Sequence, residues 1–186
     1  MSKITIAILT TLLGACTSSH AQSVLTGDTR LACEALLCLA SGTRPTECTP
    51  SLSRYFSINF KKFGDTLKGR LNFLNLCPAS NQTPQMSSFV SAITYGGGRC
   101  DAESLNLTLV VGGQDDGPTY ISDQMPDYCT AYFSNAYTRL TAPRYVGTPT
   151  KAGFWAEAAD YERALAEYNA RQQAEQQQPT GNYWWR

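Results

Sequence analysis

Apolar residues recur every three or four positions along most of this chain, a helical period. Leu31, Ala35, Cys38 and Leu39 form the first stripe, with Asp28 placed to cap it and Gly42 to end it. Thr49 followed by Pro50 reads as an N-cap with proline in the first turn. From there Phe56, Phe60, Phe63, Leu67, Leu71 and Leu74 keep helical spacing until Cys77-Pro78 stops the run. Gly64 and Gly69 each weaken such a helix by about 1 kcal/mol relative to alanine, which predicts a bend near Gly64.

Residues 79–98, rich in Asn, Gln, Ser and Pro and closed by Gly96-Gly97-Gly98, read mostly as loop around a short helix over 87–95. Leu105, Leu107 and Leu109 alternate with polar neighbours like a strand. Asp101 and Glu103 look instead like a helix start, and helix is the preferred reading. Asp127 opens a helix whose face carries Tyr128, Cys129, Tyr132, Phe133, Ala136, Tyr137 and Leu140. The last helix is predicted over 152–177. Phe154, Ala158, Tyr161, Leu165 and Tyr168 form its narrow stripe, and Glu167 with Arg171 forms an i,i+4 pair. Pro179 ends it before an aromatic tail, Asn182-Tyr183-Trp184-Trp185-Arg186. These elements predict a mainly α, small disulfide-stapled helical domain with Gly-rich loops and a long C-terminal helix. Its parts are a signal segment over 1–21, the domain over 22–150, the helix over 151–178 and the tail over 179–186.

The cysteines change the picture from helices to a stapled scaffold. Of seven, Cys16 lies in the first 21 residues, leaving Cys33, Cys38, Cys48, Cys77, Cys100 and Cys129. An even set behind an export signal predicts three disulfides in an oxidising compartment. Lys3 precedes an apolar stretch from Ile4 to Ala15, of signal-peptide length and too short to span a bilayer. Two processing sites compete after it. Ser19-His20-Ala21 suits ordinary cleavage before Gln22 and a periplasmic product. Leu12-Leu13-Gly14-Ala15-Cys16 matches a bacterial lipobox, which would lipidate Cys16 and make an outer-membrane lipoprotein. Six thiols remain to pair in either case. With Lys3 gone, 15 acids face 14 Lys and Arg, a balance that gives no case for nucleic-acid binding.

Candidate chemistry is sparse. The one histidine, His20, lies in the signal or tether, which excludes His-dependent triads, dyads and zinc sites from the folded part. No CxxC pair suggests redox work. Carboxylates leave Glu34, Asp115, Asp116, Asp123 and Asp127 as candidate general acids or calcium ligands, but their spacing fits no EF-hand and turn or capping roles are the simpler reading. The glycine runs match neither phosphate-binding fingerprint. Lys61, Lys62, Lys68 and Arg70 form the one basic cluster, read as a solvated helix face with anionic lipid or an acidic partner as the sharper alternative. Trp184-Trp185-Arg186 reads as a frayed end or an interfacial anchor.

Leu31-Ala32-Cys33-Glu34-Ala35-Leu36-Leu37-Cys38-Leu39, then Gly42, Cys48 and Phe73 to Cys77-Pro78, resembles the TrbM/KikA family. The resemblance to its longer branch continues through Gly112-Gly113-Gln114-Asp115-Asp116-Gly117 and Met125 to Cys129, up to about residue 170. It implies an exported accessory of plasmid conjugation, working with type IV secretion (mating pair formation) components. It supplies no catalytic residue. The expectation is therefore a binding protein with no cofactor, no metal and no enzymatic activity. A peptidoglycan-modifying enzyme using Glu34 or an Asp near 115, and a lipid-anchored surface or exclusion factor, are the alternatives. Chain geometry favours Cys38 with Cys48 across the first turn, Cys33 with Cys77 if the second helix folds back near Gly64, and Cys100 with Cys129 as the remainder. These are one of fifteen possible pairings.

Overall fold

The computed structural model describes residues 24–113 and 118–177. The signal segment, Cys16, His20, Asp115, Asp116 and the aromatic tail lie outside them.

Helix α1 (Gly27–Ala40) buries Ala32, Ala35, Leu36 and Leu39, one face at helical spacing, and exposes Leu37. Asp28 does not cap it. The N-cap is Thr26, and Asp28 sits in the first turn, where its carboxylate accepts Arg54 Nη2 at 2.8 Å and Nε at 3.2 Å. The chain leaves the helix at Ser41, one residue before Gly42. Thr49 is likewise inside a helix: a 3-10 turn over Thr46–Cys48 feeds straight into α2 (Thr49–Ser57), so Cys48 becomes the N-cap.

The long helix predicted through Leu74 is two helices. Residues 58–62 connect α2 to α3 (Phe63–Leu74), so the break falls before Gly64. Tertiary bonds replace the helical ladder there. Arg70 Nε donates to the Ile58 carbonyl at 3.2 Å. Buried Thr66 accepts the Phe60 N–H at 2.8 Å and donates to the Phe60 carbonyl at 3.3 Å. Gly69 lets the connection fold back over α3, since a Cβ there would meet Ile58 Cγ2 and Phe60 Cε2 at 2.8 Å each.

Helix α4 (Pro84–Gly96) is longer than the pattern suggested, because Thr83 Oγ1 caps it by accepting the Met86 N–H at 3.1 Å. It buries Phe89, Val90 and Ile93. At the turn beyond it Gly98 has φ +72°, and a Cβ would meet Phe56 Cε1 at 2.5 Å. Helix α5 (Ala102–Thr108) is the preferred reading of the ambiguous segment, with Asp101 as N-cap accepting the Ser104 N–H at 2.9 Å. Its end passes into β1 (Val110–Val111), antiparallel to β2 (Tyr120–Ile121) in the register Val110↔Ile121. Helix α6 (Asp127–Phe133) stops short of Ala136, Tyr137 and Leu140. The chain turns so that the Arg139 N–H bonds the Ala40 carbonyl at 2.8 Å.

The segment from 152 is not helical at first. Strands β3 (Arg144–Val146) and β4 (Phe154–Ala156) pair antiparallel with Tyr145 opposite Trp155, and α7 (Tyr161–Gln177) begins afterwards. Phe154 and Ala158 therefore lie outside the helical stripe. The outer edge of β4 is closed by a side chain. Asn106 Nδ2 donates to the Trp155 carbonyl and Oδ1 accepts the Trp155 N–H, both at 2.8 Å, an amide in the place of a third strand. Glu167 takes Arg163 at 3.3 Å and not Arg171, which lies over the Phe154 and Tyr168 rings.

The protein is thus mainly α, stapled by disulfides, with a long C-terminal helix. Its main core gathers α1, α3, α4, α5 and α6 with Tyr55 and Trp155; Val146, Ala156, Ala164 and Tyr168 make a smaller core under α7. Cys33–Cys77 ties α1 to the end of α3, Cys38–Cys48 ties α1 to the start of α2, and Cys100–Cys129 ties the entry of α5 to α6.

The bridges span 44, 10 and 29 residues. Chain-entropy arithmetic makes Cys33–Cys77 worth about 4 kcal/mol and Cys38–Cys48 about 3 kcal/mol. Guanidinium unfolding of Cys33→Ser/Cys77→Ser should show the larger loss, and of Cys38→Ser/Cys48→Ser the smaller. Asn106→Ala should cost about 1–3 kcal/mol by leaving the Trp155 backbone unpaired. Hydrogen exchange should quicken at Trp155 while α1 and α4 keep their protection.

Candidate functional site

Two surface features bring functional groups together. The first is a cleft of about 310 Å³ between the end of α1, the glycine turn after α4, α6 and the end of β4. Arg44, Asp101, Tyr132, Thr141 and Glu157 supply its polar lining. Each carboxylate there already serves the start of α5. Asp101 accepts the Ser104 N–H and hydroxyl, both at 2.9 Å, and Glu157 accepts the Ala102 N–H at 2.7 Å. The helix-start donors need such acceptors, so these groups hold structure at the cleft wall. Tyr132 donates its hydroxyl to the Leu39 carbonyl, which joins α6 to the last turn of α1.

The buried phenols titrate far from neutrality. Burial pushes Tyr55 up to about 12, against the opposing pull of Arg70, and burial raises Tyr132 as well. On the surface, the Arg54 hydrogen bond holds Asp28 below its ordinary carboxylate range.

The second feature is a cation held between two rings. The Arg99 guanidinium lies 4.6 Å from the Phe63 centroid and 4.1 Å from that of Tyr128, and its Nη1 donates to the Tyr95 carbonyl at 3.0 Å. The covalent geometry sets this up. Arg99 precedes Cys100, Tyr128 precedes Cys129, and the bridge brings both neighbours together from α6 and the turn after α4. Tyr95 and Tyr128 line a shallow depression beside Ala92 and Ala131. Tyr95 is half-exposed, as are Phe60 and Phe63. Arginine and aromatic side chains held in place are the residues that anchor protein interfaces, since little entropy is lost on contact.

The carboxylates singled out in the sequence do not converge. Glu34 accepts Arg30 Nη1 at 2.9 Å on the α1 surface. Asp123 accepts its neighbour Gln124, and Asp127 opens α6. Among the described residues, no three His, Cys, Asp or Glu side chains gather as a metal site. Lys61, Lys62 and Lys68 are exposed, whereas Arg70 stacks over Tyr55 and Phe56. Tyr132 is core. Tyr137 is half-exposed against the Phe89 ring. The Arg99 stack and Glu157 were missed in the sequence, because a cation held by two remote rings has no spacing signature. The only local signal was the placement of Arg99 and Tyr128 beside cysteines.

Both buried phenols are neutral in the folded chain and titrate near 10 when unfolded. Both contributions are complete below pH 10 and fall as the pH rises, that of Tyr55 being lost as the pH climbs through about 12 and that of Tyr132 later. Thermal melts should fall steeply over that window. Tyr55→Phe should flatten part of the fall and cost about 1 kcal/mol at neutral pH through its lost bond to Ile93.

A family model described as TrbM matches residues 24–169. No curated protein matches the chain. No solved structure matches it either.

Proposed function

The chain belongs to the TrbM family, which makes it a conjugal-transfer-related protein, and from that premise we propose that it is an exported accessory supporting the type IV secretion (mating pair formation) apparatus through protein–protein contacts. The family match over residues 24–169 carries this reading. Three disulfides agree with an oxidising, exported environment, and the periplasm is the compartment that fits. No helix among the described residues is long and apolar enough to cross a membrane.

Binding suits the side chains better than catalysis. Asp101, Glu157, Asn106, Thr66 and Tyr132 all spend their polar groups on the chain's own backbone. Aromatic and aliphatic groups do stay open to solvent: Tyr95, Tyr137, Tyr120 and Val110 are about half-exposed and Leu107 more so. Tyr95 beside the clamped Arg99 is the natural centre of a contact surface, with a partner from the mating apparatus.

Deletion of the gene from a transfer-proficient plasmid should lower mating frequency, and the wild-type gene supplied in trans should restore it. Tyr95→Ser should restore it poorly while the protein accumulates normally, and crosslinking in cells carrying the transfer region should lose its envelope partner. Unchanged transfer and pilus formation after deletion would overturn the reading. So would muropeptide release that disappears with Glu34→Gln.

A further inference from the structure

The α2–α3 connection exposes groups that the fold has taken trouble to fix. Phe60 is 55% exposed and Phe63 is 51% exposed, with Lys61 and Lys62 exposed between them. Two phenylalanines so open to water lie in a segment that is tightly held. Thr66 binds both backbone groups of Phe60, Arg70 binds the Ile58 carbonyl, and Arg99 stacks on the Phe63 ring. Leu76, 46% exposed, lines with Phe60 a shallow apolar depression of about 460 Å³ floored by Ile58 and Phe73.

The charge is equally local. Residues 58–70 carry Lys61, Lys62, Lys68 and Arg70 against Asp65 alone, in a chain whose 15 acids balance its 15 Lys and Arg. Arg70 is committed to the Tyr55 and Phe56 rings, and Arg54 at the rim of the depression is committed to Asp28. The three lysines enter no ion pair among the described residues.

We propose that Phe60-Lys61-Lys62-Phe63 is a peripheral docking loop for an anionic lipid surface. The rings enter the boundary between headgroups and acyl chains, and the ammonium groups take lipid phosphates. A peptide strand is the poorer occupant, because the Ile58 carbonyl and both Phe60 backbone groups are already bonded within the chain. What the loop still offers is apolar surface and positive charge, the pair of features an anionic bilayer takes up. The proposal is independent of the conjugation reading, since vesicle binding is measured without any transfer machinery.

The test uses the full exported chain carrying Cys16→Ser, so that no acyl anchor can form, with its disulfides intact. It should sediment with phosphatidylethanolamine vesicles containing phosphatidylglycerol and cardiolipin, and not with phosphatidylcholine vesicles. High salt should release it. Each lysine lost should weaken partitioning about fivefold, so Lys61→Gln/Lys62→Gln should weaken it about twenty-five-fold. The Lys61→Arg/Lys62→Arg chain should bind as wild type. Phe60→Trp should add a blue-shifted fluorescence component only with anionic vesicles, which reads insertion directly and needs no loss of stability. Equal binding to phosphatidylcholine, full binding by Lys61→Gln/Lys62→Gln, or no sedimentation at all would overturn the proposal. A dimer that the same lysine changes dissolve, without vesicle binding, would also overturn it and assign the face to a second copy of the chain.

Discussion

Covalent closure of Cys33 on Cys77 turns three short helices into one scaffold. α1, α2 and α3 have 14, 9 and 12 residues, lengths that are marginal as isolated helices in water. The bridge fixes α3 against α1, and the nested Cys38–Cys48 bridge fixes the start of α2 within the same loop. Between those fixed ends Gly69 lets the 58–62 connection lie close over α3. The third bridge does for Arg99 and Tyr128 what these two do for the helices.

A second economy runs through the polar residues. Where regular secondary structure leaves a backbone group without a partner, a side chain from elsewhere supplies one: Thr66 for Phe60, Glu157 for Ala102, Asn106 for Trp155. A buried backbone group left unpaired is costly, so these residues are structural in effect although polar in type. Large apolar side chains and the three lysines of the α2–α3 region remain at the surface.

Those same bonds explain what the sequence showed and what it hid. Helical spacing marked α1 and the start of α6 because their buried faces follow one period, α4 showed only in part because its Thr83 cap lies in loop-like sequence, and Asp101 marked α5 because capping is local. The period from Phe56 to Leu74 was real, but it crossed a break held by the tertiary bonds of Thr66 and Arg70. The stripe from Phe154 also kept helical spacing, yet Asn106, remote in the chain, made an extended Phe154-Trp155-Ala156 the better-bonded choice. The same limit applies to the surface. Lys61 and Lys62 stood out as a charge cluster, whereas the exposure of Phe60 and Phe63 beside them looked like core periodicity. Arg99 between Phe63 and Tyr128 is a purely tertiary arrangement.

The Asn106 amide on β4 has a meaning beyond local bonding. A two-stranded ribbon normally presents open rims that can recruit foreign strands, a route to aggregation. Here the outward N–H and C=O of Trp155 are occupied by a side chain that cannot propagate a sheet. A single carboxamide thereby acts as a chain terminator for β-assembly on the rim of β4 that it occupies.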